Sequence, residues 1–309
     1  MIDEFAARSG DGAWPNLERR TIAEQLRDTI AEPQLIRQGP TSLCGPACVL
    51  YSLAKRAPRR YVRLARDPFD EGRFDMKTQA IESEVSLRSA EAPREGNRSI
   101  RQVDWLMAGP IRNSANRLFT VEGDAPDLAS ITTAGEVAMW ARELLGYEAL
   151  TASAATVTGS RGFSLGDALG PLERAWTWID EQTGRSAEQV CRDAVQTVRD
   201  GGEAFLMTTV AMFDGATRRD DGRTRPDDSD ETNWGWKLID VATHWVTIRE
   251  QGPDHPLNIT NEGRSVFDAF TWGAYHAVDA APYPRRHRRA RRTPPSGTAP
   301  RGHSRPGYS

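Results

Sequence analysis

One stretch limits the fold more than any other: Gln38-Gly39-Pro40-Thr41-Ser42-Leu43-Cys44-Gly45-Pro46-Ala47-Cys48, followed by Val49-Leu50-Tyr51-Ser52-Leu53-Ala54. A polar loop of Gly and Pro enters an apolar helix there. Pro46 suits the first helical turn, where the N–H it lacks would have had no partner. Val49, Leu50, Leu53 and Ala54 recur at helical spacing and face a core. The helix therefore belongs inside the molecule, and its N-terminus carries a thiol. A cysteine in that position feels the positive end of the helix dipole and unpaired N–H groups. Both favour thiolate, the nucleophilic form. Gln38 lies six residues upstream, so its carboxamide can fold back beside the thiol and donate to a developing oxyanion.

A chain of 309 residues supports a large core. It contains no run of eighteen apolar residues, so no membrane span is expected. Met1-Ile2-Asp3-Glu4-Phe5 is acidic, unlike a secretory signal. The chain reads as cytoplasmic when synthesised, and export would need a route that reads no such signal. Three cysteines are too few for a disulfide framework. Cys44 and Cys48 lack the further ligands that zinc requires, so neither a metal nor a cofactor is implied. Residues 285–309 hold eight arginines and no acid. Without interleaved aromatics they read as a solvated, disordered basic tail and not as a nucleic-acid site.

Along the chain, Ile22, Leu26 and Ile30 share one helix face, so residues 1–33 form an arm and a helix packed on the body. The nucleophile helix ends before Pro58. A turn is expected at Asp67-Pro68, a helix over Ile81 to Leu87, a loop over 92–97, and a helix from Ile100 that Gly109-Pro110 stops. Asp104 and Trp105 serve capping and core packing. Thr133-Ala134-Gly135-Glu136 is a capping box, with Gly146 as the helix stop. Residues 151–166 are a flexible connection and Asp167 to Asp180 a helix. Ser186-Ala187-Glu188-Gln189 opens another, ending at Gly201-Gly202, with Cys191 a buried inert thiol. Ala204 to Phe213 is a strand. Residues 214–233 are a long structureless loop, a candidate lid or autocleavage segment. Val241 to Glu250 alternates as a strand and carries Thr243-His244-Trp245-Val246-Thr247-Ile248. The turn Gln251-Gly252-Pro253-Asp254 returns Leu257 to Asn261 as its antiparallel partner, which sets Asn261 opposite His244. Ser265 to Gly273 is one more strand.

Gln-x5-Cys-Gly-Pro at a helix start, with His-Trp-Val-Thr-Ile on a strand two hundred residues later, resembles the papain-like cysteine peptidases. The resemblance spans residues 34–275 in order of elements. It implies an α+β fold in which a helical lobe carrying the nucleophile helix packs on an antiparallel β-sheet lobe carrying the histidine. Residues 34–283 then make the catalytic domain, residues 1–33 the arm and 284–309 the tail. It also implies a thiol hydrolase, foremost a peptidase cleaving a protein or peptide through a thioester. Some papain-like bacterial proteins act as secreted effectors or toxins. Cys44 is the nucleophile and His244 its base and later acid. Gln38 and the Cys44 amide bind the oxyanion. Asn261 orients the imidazole by hairpin geometry, with Asp268 as the alternative. Two other readings stay open: a Gln deamidase or transglutaminase-like acyl transferase on this fold, and a catalytically silent binding module.

Overall fold

The structure is a computed structural model. It describes residues 1–38, 41, 43–95, 98–115, 132–147, 187–208, 217–220, 223–226, 244–252, 254, 256–260 and 264–280. Its centre is α3, Cys44–Arg56. From Cys44 to Ala54 every residue is buried, which the apolar run and the small Gly45, Ala47 and Ser52 allow. Each Leu or Val so buried contributes roughly 1.5–3 kcal/mol. Lys55 and Arg56 close the helix at its negative end.

Around α3 stand α2 (Arg19–Ala31), α4 (Pro58–Glu71) and α6 (Gln102–Ala115). The short α1, Ile2–Ala6, lies on α2. Phe5, Trp14, Leu17, Ile22 and Leu26 share one continuous core with α3. Residues of this N-terminal segment thus pack into the core around α3.

Two expected breaks are absent. α4 runs through Asp67-Pro68 to Glu71 and ends at Gly72, which is left-handed at φ 72°. α6 runs through Gly109-Pro110 to Ala115. In both cases burial of the surrounding turn outweighs the hydrogen bond that proline removes. The missing side chain of Gly109 admits Leu87, whose methyls would lie 3.3 Å from a Cβ there. The segment expected as a helix over 81–87 is instead β2 (Ala80–Glu82), paired with β1 (Arg73–Asp75), then α5 (Val85–Ser89). Residues 92–97, expected as loop, contain β3 (Arg94–Glu95), paired with β4 (Arg98–Ser99). The Thr133–Glu136 capping box forms, opening α7 (Ala134–Trp140), and a π turn over Ala141–Leu145 stops at Gly146. Residues 151–166 and 167–180 lie outside the described residues.

The main sheet is antiparallel, ordered β5 (Phe205–Thr208), β8 (His244–Ile248), β10 (Ser265–Thr271), β11 (Ala274–Ala280), β6 (Thr217–Asp220), β7 (Arg223–Pro226). Helix and sheet are both substantial and the sheet is antiparallel, so the chain is α+β. Strand alternation divides the sheet. Trp245, Phe270 and Tyr275 face α3, whereas Val246, Ile248, Phe267 and Ala269 face α8 (Ala187–Arg199). Helices therefore cover both faces.

The segment expected as a structureless loop over 214–233 contains strands at 217–220 and 223–226. These form the β6–β7 hairpin, which extends the sheet by pairing Thr217–Arg219 with Tyr275–Ala277. A second correction concerns β9 (Leu257–Ile259). It pairs with β10, as does β8, and both run antiparallel to it. β8 and β9 thus follow one another along the same edge of β10. β9 therefore continues the line of β8 and does not reverse it. The symmetry that set Asn261 opposite His244 therefore does not exist. Among the described residues no helix is long and apolar enough to cross a membrane.

Candidate functional site

Cys44 is the first residue of α3, and α3 lies along β8. Cys48, one helical turn on, lies near the Thr247 side chain. Tyr51 stacks on Phe270 with ring centroids 4.2 Å apart and shares a 2.9 Å hydrogen bond with the Tyr275 hydroxyl. Lys55 pairs with Glu250 at 2.9 Å. This seam fixes the helix N-terminus over the start of the strand.

The Cys44 sulfur there receives the backbone N–H of Trp245. Ladder geometry explains why. The Arg249 amide donates to Asp268 O at 2.8 Å, and Thr247 stands opposite Phe270. Alternate amides along this edge of β8 point at β10. Trp245 is the next in that series, but β10 has ended at Thr271 and turned away. The sulfur takes the place of the carbonyl that is no longer there. The amide it binds is the peptide unit joining His244 to Trp245, so the sulfur meets this backbone, while the Trp245 side chain faces α3 and the His244 ring stands on the other face of the strand with Thr271.

Gly45 is required at the second position. A Cβ there would sit 2.5 Å from Thr132 Cγ2. Thr132 O in turn accepts from Trp245 Nε1 at 2.8 Å.

The electrostatics differ from the sequence expectation. Cys44 is 6% exposed and His244 5% exposed. Burial raises the Cys44 thiol pKa above its ordinary value, against the opposing pull of the Trp245 and Gly45 amides, the Arg112 charge and its own amide. The helix terminus favours thiolate, but desolvation wins. Burial, with His276 adding to it, pushes the His244 pKa down to about 3. At neutral pH the thiol is protonated and the imidazole neutral, so the resting site is closed and uncharged.

His244 is held on two sides. Its Nε2 and Thr271 Oγ1 share a 2.5 Å hydrogen bond. Its ring stacks on Trp272 with centroids 4.4 Å apart and planes within 13°. Trp272 and Gly273 form a two-residue turn closed by the Thr271–Ala274 pair, with φ of 47° and 78°. Such a turn requires positive φ at both central residues, which a tryptophan rarely adopts.

The residue on the imidazole is therefore Thr271. Asp268 is wholly buried on the α3 face of β10, with Arg249 3.8 Å away. Thr271 is three residues on and faces the other way, so Asp268 does not orient His244. Asn261 lies outside the described residues. Gln38 is buried at 7% exposure, and its carbonyl accepts from Thr41 Oγ1 at 2.5 Å. Cys48 and Cys191 are buried, as expected.

Sequence reasoning missed Thr271, Trp272 and Arg112. Arg112, 1% exposed near the end of α6, pairs with Glu136 at 3.2 Å and sets a positive charge close enough to act on the sulfur. The Trp-Gly pair after a strand was the available signal for the turn. Nothing local marked Arg112. Among the described residues no group of three His, Cys, Asp or Glu side chains is placed to hold a metal ion. No protein-family model matches the chain, and comparisons with characterised proteins and with solved structures give no match.

Proposed function

We propose that this protein is a papain-like thiol hydrolase acting on a protein or peptide, with Cys44 as nucleophile and His244 as its base. One observation carries the reading: the sulfur that starts the buried helix accepts the amide joining His244 to Trp245. The same imidazole is fixed at Nε2 by Thr271. A thiol at a helix start and an imidazole on the adjoining strand are the groups acyl transfer uses, and here the ring must turn from the Thr271 side of β8 toward the sulfur before they can act together.

The burial seen here defines the resting state. Substrate binding must expose the sulfur and swing the His244 ring toward it, and water or polar substrate groups then relieve the desolvation that keeps both partners neutral. His244 accepts the thiol proton, and Cys44 Sγ bonds to the substrate carbonyl carbon. Gln38 and the Cys44 amide stabilise the oxyanion. As the C–N bond breaks, the imidazolium returns its proton to the leaving amine. Water then attacks the thioester, and its proton passes through His244. Arg112 supports the thiolate by its charge.

The same burial also favours a second reading, a silent module on this fold. Acylation decides between them. The native protein would be treated with p-nitrophenyl acetate and, separately, iodoacetamide between pH 6 and 9, and modification at each cysteine read by peptide mass spectrometry. Selective acetylation at Cys44, lost in His244→Ala, supports the hydrolase. Acetylation no greater at Cys44 than at Cys48 or Cys191 sinks it.

A further inference from the structure

Asp104 is a charged side chain buried to 0% exposure in the first turn of α6. It spends none of its hydrogen bonding on capping that helix. Oδ2 accepts the backbone N–H of Arg37 at 2.9 Å and lies 3.5 Å from Arg101 Nε. Arg101 then reaches across the same segment. Its Nη1 donates to Leu35 O at 3.1 Å, and its Nη2 to Gln25 O at 2.7 Å and to Thr29 Oγ1.

Residues 35–37 are thus tied by one carboxylate and one guanidinium to α6 and α2. From the opposite side they meet the hairpin that holds His244. A Cβ on Gly273 would be 2.9 Å from Arg37 Cγ and 3.6 Å from Ile36 O. The next residue in the chain is Gln38. A buried carboxylate is costly unless its bonds are made; here Oδ1 has no hydrogen-bond partner among the described residues, and the one hydrogen bond, at Oδ2, goes to the segment that leads the chain to the nucleophile.

We propose that Asp104 is a positioning residue. By holding the Arg37 amide it fixes where the Gln38 carboxamide stands relative to Cys44, and it seats Arg37 against the Trp272-Gly273 turn. The proposal rests on the reading of Cys44 as the nucleophile. Asp104 touches no reacting atom and acts through the backbone. Burial raises its pKa, Arg101 and Arg37 oppose that rise, and the Tyr61 hydroxyl of α4 is a further titratable group close to it.

Two reactions of Cys44 separate positioning from mere structure. Acylation by p-nitrophenyl acetate passes through an oxyanion, whereas alkylation by iodoacetamide does not. The ratio of their rate constants at Cys44 reports the oxyanion donors alone. Asp104→Leu, similar in shape but without an acceptor, should lower that ratio ~10- to 100-fold, since displacement of a catalytic group by about an ångström has effects of that size. Gln38→Ala should lower it as well, and the double variant no further than Gln38→Ala alone. Asp104→Asn keeps an oxygen for the Arg37 amide and should hold the ratio within about threefold of the native value.

An unchanged ratio in Asp104→Leu while Gln38→Ala lowers it would overturn the positioning role and leave the hydrolase reading intact. A native protein without selective acylation at Cys44 would overturn both. If Asp104→Leu does not fold, hydrogen exchange in the native chain decides. The Arg37 amide should exchange as slowly as the core amides of α6, and exchange at the rate of an open loop would refute the tether.

Discussion

Trp272 lies face to face with His244, 4.4 Å between ring centroids, and holds that position from a backbone φ of 47°. An indole in the left-handed region costs conformational energy, and what it gains is a ceiling over the imidazole. The stack also removes water from the ring, which is the first cause of its depressed pKa. Trp272→Ala should therefore raise the His244 pKa from about 3 by a unit or more. An NMR titration of the imidazole Cε1–H signal checks this. An unmoved titration would assign the depression to the remaining walls of the site.

Thr271 Oγ1 is hydrogen-bonded to His244 Nε2. Thr271→Val keeps the shape and deletes the hydroxyl. Leaving a buried ring nitrogen without that partner should cost about 1–3 kcal/mol of stability and slow Cys44 acylation at least tenfold. Thr271→Ser, which restores the oxygen, should recover most of both. Chemical denaturation and acetylation kinetics on the three proteins measure the two effects separately.

Gly45 tests how tightly the helix start is packed. A methyl at this position meets Thr132 Cγ2 at 2.5 Å, inside any real contact. Gly45→Ala should destabilise the protein by about 1–3 kcal/mol through overpacking. Thr132→Ser removes that methyl and should restore about half of the loss when combined with it. Melting temperatures of the single and double variants show whether the two positions couple.

The Asp104 carboxyl is raised by burial to about 6 from an ordinary value of 3.8. The folded protein thus binds this proton more tightly than the unfolded chain. Its contribution to stability is fully present below pH 3.8 and is lost as pH rises through 6. The native protein should therefore lose about 2–3 kcal/mol relative to Asp104→Asn between pH 4 and pH 7. Urea denaturation of both at several pH values gives the difference. A constant gap across that range would place the Asp104 carboxyl near its ordinary value in the folded state.

The helices were readable where signals were local. Cys44–Arg56 announced itself by its apolar spacing and Pro46, and Ala134–Trp140 by its capping box. Pro68 and Pro110 misled because burial of a helix face is a tertiary effect, which lets a helix carry a proline that its isolated sequence would not. The larger miss was in the sheet. Gly252-Pro253 reads as a reversal, yet β8 and β9 both run against β10, and only the long-range pairing reveals it. That error moved the expected orienting residue to Asn261, whereas the oxygen beside His244 comes from Thr271 at the far end of β10. The charge state was misjudged for a related reason: a helix dipole can be read from sequence, but the depth at which it is buried cannot.

Because the sulfur of Cys44 stands in for a missing rung of the β8 ladder, it also fastens the start of that strand. On the proposed reading the sulfur gains a second, acyl carbon in the thioester and becomes a poorer acceptor, so the first rung of β8 should slacken. The proposed reaction would thereby loosen its own frame, and hydrolysis of the thioester would tighten that frame again.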